Sequence, residues 1–212
     1  MKKYIIGTLA LASGFALFWI WLGGVGIEIK TAGVRLPFSL ADIGPKLIEL
    51  GVIDENKYSS PYLTRQYAPL EISSENSRDI LNILWGFGLA NKNEILETGP
   101  MADPKNGGPE GFASTGGWTI GTNHPMSHYS KHDIVTLNAQ QQKLVNSVSK
   151  RIFRPCCPNP AYFPDCNHGM AMLGLLELMA HNGLDEKNME QYAHKVNEMW
   201  FPELRQNSSC AV

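Results

Sequence analysis

Several features are missing from this sequence, and each absence closes a class of function. There is no internal repeat and no heptad run, so solenoids and coiled coils are excluded. Charged residues make up only 18% of the chain and the net charge is −2, leaving no global basic field to hold nucleic acid. No Cys-x-x-Cys pair occurs, which removes zinc ribbons and fingers, ordinary c-type haem attachment and thioredoxin-like chemistry. No Gly-x-Ser-x-Gly elbow is present, so hydrolase chemistry of that kind has no support. The glycines between 107 and 121 lack the Gly-Lys-Ser/Thr ending of a phosphate-binding loop.

Apolar material, by contrast, is sufficient for a core. Hydrophobic residues are 43% of 212, which excludes a disordered chain and suits one domain with an appendage. The appendage is the N-terminus. Lys2 and Lys3 precede a run from Tyr4 to Ile27 without a charge, 24 residues, where about 20 span a hydrocarbon core. Trp19 and Trp21 near its far end suit an interfacial belt. The expectation is an uncleaved transmembrane signal-anchor over 1–27, with a cleaved signal peptide as the rival. Residues 28–204 then form a domain on the extracytoplasmic side of the membrane, and 205–212 a loose tail.

The expected fold is mainly α: a small helical bundle with a minor N-terminal β-hairpin and a long Gly-rich loop. Alternation in 27–38 around Thr31-Ala32-Gly33 gives the hairpin. Helices are expected from Ser39 to near Leu50, over 74–91, 138–153, 167–180 and 185–200. Between them, residues 97–126 hold seven Gly and four Pro around Phe112, Trp118 and Ile120, which predicts an ordered flap because those aromatics need burial.

The segment richest in chemistry is 156–172. Cys156, Cys157, Cys166 and His168 fall within thirteen positions, and Met170 and Met172 follow. Thiolate, imidazole and thioether are soft or borderline donors, which points to copper first and haem second. Cys166 stands at the start of a predicted helix, where free N–H groups favour negative charge, and His168 and Met172 share a face at i, i+4. The expected ligands are therefore Cys156, Cys157, Cys166, His168 and Met172, with Met170 as a substitute thioether. His128 and His132, spaced by four, complete the site if the flap folds down on it.

Two other readings use the same residues. In one, the vicinal cysteines and Cys166 exchange disulfides as a thiol–disulfide oxidoreductase. In the other, a bond from Cys156 or Cys157 to Cys166 is a staple, the methionines are core, and the chain is a non-catalytic envelope or assembly module with an unidentified protein partner. Cys210 either joins this cysteine cluster or stands apart in the tail. Glu177 with His181 four residues on reads as a surface pair marking the solvent side of its helix, with a buried proton-transfer pair as the alternative.

Overall fold

The computed structural model describes residues 33–40, 42–64, 69–155 and 157–202, and of Cys157 only the backbone. The expected anchor over 1–27 and the tail from 205 lie outside these residues. The expected transmembrane helix is corrected to this extent: among the described residues no helix is long and apolar enough to cross a membrane.

Seven α-helices run through the described residues: α1 (Ile43–Glu49), α2 (Ser77–Ala90), α3 (Glu94–Thr98), α4 (Ala113–Gly116), α5 (Ala139–Ser149), α6 (Asn167–His181) and α7 (Glu186–Trp200). Each long helix follows from its sequence. In α2, Ile80, Leu81, Ile83, Leu84 and Phe87 recur at three- and four-residue spacing and are all buried. Helix α5 opens with a capping box, in which Asn138 Oδ1 accepts from Gln141 N and Gln141 Oε1 accepts from Asn138 N. Asp185 caps α7 by accepting from Asn188 N at 2.8 Å. Gly51, at φ 71°, ends the first helical segment where a side chain would be strained.

The bundle is organised around α6, which is apolar nearly all round and buried from Gly169 to Ala180. Its closest approach is to α2. A Cβ on Gly174 would stand 2.6 Å from Leu84 O and 3.1 Å from Gly88 Cα, so the two glycines let the helix backbones touch. Helices α5 and α7 cover other faces, and one continuous hydrophobic cluster fills the interior.

The β structure differs from the expected hairpin. The first arm of that hairpin, residues 27–32, lies outside the described residues, and strand β1 (Val34–Arg35) pairs antiparallel with the distant β2 (Glu71–Ile72). A true hairpin lies in the proline-rich link instead, where β3 (Phe153–Arg154) pairs with β4 (Cys157–Pro160) through a bulged register. The Gly-rich segment is an ordered cover, built of 3₁₀ turns and α4. Trp118 anchors it at 2% exposure, with Nε1 donating to Val52 O at 2.9 Å and its ring edge-on to Trp85.

Candidate functional site

The hairpin β3–β4 brings Arg154 to the first turn of α6. Its side chain has no exposed surface, and every nitrogen has an acceptor beside it. Nε donates to Asn159 O at 3.1 Å and Nη2 to Phe163 O at 3.1 Å. Nη1 lies 2.8 Å from Cys166 Sγ, with its N–H directed at the sulfur, and 2.7 Å from Asp165 Oδ1. Asp165 Oδ1 is in ion-pair contact but receives no directed hydrogen bond, while Oδ2 accepts from Asn159 Nδ2 at 2.7 Å. Gly169 makes room for the guanidinium, because a Cβ there would collide with Nη1.

Cys166 is the N-cap residue of α6, half-buried, and its thiol is free. The Gly-rich cover does fold onto this neighbourhood: Ser114 N donates to Asp165 O at 3.1 Å, and the Phe112 and Phe163 rings meet edge-to-face at 5.3 Å. Cys157 stands opposite Arg154 in the strand register. Cys156 and Cys210 lie outside the described residues. The sulfur thus has a buried guanidinium N–H directed at it, and the same nitrogen is shared with the Asp165 carboxylate.

The soft-metal centre expected over 156–172 is corrected by these positions. Among the described residues no group of three His, Cys, Asp or Glu side chains could hold a metal ion. Met170 and Met172 are fully buried in the core around α6, where thioethers fill space between Leu and Ala side chains. The His168 ring packs against Phe201 at 4.4 Å and Trp200 at 6.0 Å, and its Nδ1 lies 2.9 Å from Asn167 Oδ1. Of the donors whose side chains are described, Met170 and Met172 lie in the core, Cys166 beside Arg154, and His168 against the aromatic end of α7. The expected staple is corrected as well, because Cys166 carries no bond and no disulfide occurs among the described residues.

His128 and His132 do not complete the Cys166 site. They face each other, with Nδ1 of His128 and Nε2 of His132 3.1 Å apart, beside the C-terminal end of α2. Burial pushes both imidazoles below their ordinary range, and the neighbouring charge of His132 lowers His128 further.

A second buried polar group emerges where a surface pair was expected. Glu177 is wholly buried and His181 exposed, so they do not mark a common solvent face. Glu177 Oε2 instead accepts from Asn91 Nδ2 at 2.5 Å, and Asn91 Oδ1 accepts from Val135 N. Burial pushes the Glu177 carboxyl up to about 8, against the lowering effect of Asn91 and of Asn93 alongside.

Arg154, Asp165 and Asn159 escaped the sequence reading. The available signal was an arginine and an aspartate bracketing the cysteine segment, one two positions before Cys156 and the other next to Cys166. No family model, characterised protein or solved structure matches this chain.

Proposed function

We propose that the protein carries out thiol–disulfide exchange on the extracytoplasmic side, with Cys166 as the attacking thiol and Cys156 or Cys157 as the second. The observation that supports this reading is the Arg154 Nη1 donor directed at Cys166 Sγ over 2.8 Å, at a helix start. The thiolate is the form that attacks a disulfide. In the first step Cys166 sulfur attacks one sulfur of a disulfide in a partner molecule. A mixed disulfide forms, the partner's S–S bond breaks, and the departing thiolate takes a proton from solvent. The second cysteine then attacks Cys166 Sγ, which releases the partner reduced by two electrons and leaves the chain's own pair oxidised. The guanidinium stays in place throughout, held by Asn159 O and Phe163 O.

Stopped-flow reaction of the full-length reduced chain with an aromatic disulfide such as dithiobis(nitrobenzoate) tests this near neutral pH. The expected result is one thiol reacting at least about tenfold faster than glutathione, lost in Cys166→Ser and slowed about tenfold in Arg154→Gln. A Cys166 that reacts no faster than glutathione overturns the exchange reading. The Arg154 network is then only a clamp joining hairpin to helix, as a non-catalytic assembly module requires.

A further inference from the structure

The turn between the Gly-rich cover and α5 is held down in an unusual way. A 3₁₀ turn at Pro125–Ser127 delivers His128 into the protein at 3% exposure. The chain then passes through Ser130, which has a φ of 51°, a left-handed conformation that serine adopts at some cost. Three successive amides close it onto the last carbonyls of α2: Ser130 N donates to Leu89 O, and Lys131 N and His132 N to Ala90 O. Lys92 N returns a bond to His132 O, and Asn91 Oδ1 takes Val135 N. The backbone thus forms a strap over the end of α2, with a strained residue in its middle.

Both ends of the strained stretch are imidazoles in contact. His128 Nδ1 and His132 Nε2 stand 3.1 Å apart, a distance at which one nitrogen donates and the other accepts, and the ring planes are inclined by 35°. The other nitrogen of His128, Nε2, is buried and has no hydrogen-bond partner among the described residues. That asymmetry assigns the tautomer: a bare buried acceptor costs less than a buried N–H without an acceptor, so His128 Nδ1–H donates and His132 Nε2 accepts. A further proton then has no harmless destination. On His132 Nε2 it sets two N–H groups against each other. On His128 Nε2 it places an N–H and a positive charge in a site without an acceptor.

We propose that residues 124–135 are an acid-released strap on the C-terminal end of α2, closed while His128 and His132 share one bridging proton and opened when the pair takes up another. The surrounding charges are few. Among the described residues, burial and then the charge of His132 lower His128, and burial lowers His132. Lys131, Asp133 and Glu97 are exposed, and Glu97 reaches Ser130 Oγ at 3.4 Å. His124 at the entrance faces Glu110 at 3.5 Å, and Glu177 is connected through Asn91. Because Asp133 and Glu97 are exposed, solvent screens their attraction for an imidazolium.

Hydrogen–deuterium exchange on the full-length chain, read by mass spectrometry and corrected for intrinsic rates, tests this from about pH 7 down to about pH 4, because both imidazoles titrate below their ordinary range. Peptides covering 128–135 should lose protection about tenfold or more at the acid end while α6 retains its own. His132→Gln, which accepts the same hydrogen bond and cannot gain a proton, should keep the strap closed there, and His128→Asn should lose the acid response. Protection of 128–135 that does not change with pH in the natural chain overturns the proposal, as does equal opening in His132→Gln.

Discussion

Glu177 Oε2 accepts a 2.5 Å hydrogen bond from Asn91 Nδ2 with both side chains fully buried, joining the middle of α6 to the residue that ends α2. A carboxyl so placed is more stable neutral than charged. The folded chain therefore keeps a proton that the unfolded chain has already lost between pH 4.5 and about 8. Stability from this group is complete below the lower value, falls as pH rises through the window, and changes no further above it.

Glu177→Gln should remove that dependence while retaining an acceptor for Asn91. The difference in urea unfolding free energy between natural and variant chains should slope by up to about 1.4 kcal/mol per pH unit inside the window. Taking the difference also cancels the opposite slope of His128 and His132, whose lowered values cost stability as pH falls. Parallel curves for the two chains would show that the carboxyl is not held neutral.

Met172 is surrounded by core, so its replacement should follow core rules. Met172→Leu conserves volume and should cost less than about 1.5 kcal/mol, whereas Met172→Ala should cost about 2–5 kcal/mol. Chemical denaturation measures both. A ligand thioether would behave differently, with Leu as harmful as Ala and bound metal lost from each on elemental analysis.

The crossing of α2 and α6 depends on hydrogen at two positions. Gly174→Ala puts a methyl group 2.6 Å from Leu84 O, which the helices accommodate only by separating. The expected cost is about 1–3 kcal/mol. Gly111→Ala is the control, because a Cβ there meets nothing within 4 Å, and its change should stay within about 0.5 kcal/mol. A Gly174→Ala chain as stable as that control would mean the backbones are not in contact.

Much of the architecture is visible in the sequence because it is encoded locally. The apolar spacing of α2, the Asn138–Gln141 cap of α5 and the Asp185 cap of α7 each act within four residues. The aromatics of the Gly-rich cover likewise announce burial, and Trp118 is buried. Strand pairing is less legible, since two residues such as Val34–Arg35 carry no periodicity to identify Glu71–Ile72 as their partner.

Cysteine, histidine and methionine crowded into one stretch suggested a common centre, but proximity along a chain is not convergence in space. Met172 and His168 share a helical side at i, i+4, yet one end of that side enters the core and the other meets Phe201. The sequence by itself determined which segments coil and which of their faces are apolar, because those depend on neighbours within a turn. Tertiary structure alone decided that Arg154 reaches Cys166, that His128 meets His132 over the end of α2, and that Glu177 finds Asn91, 86 positions away, and not His181. The physical reason is that each of these pairs is set by where one element crosses or folds onto another, at Gly88 and Gly174 and at the β3–β4 hairpin. Such crossings are fixed by packing among residues distant in the chain.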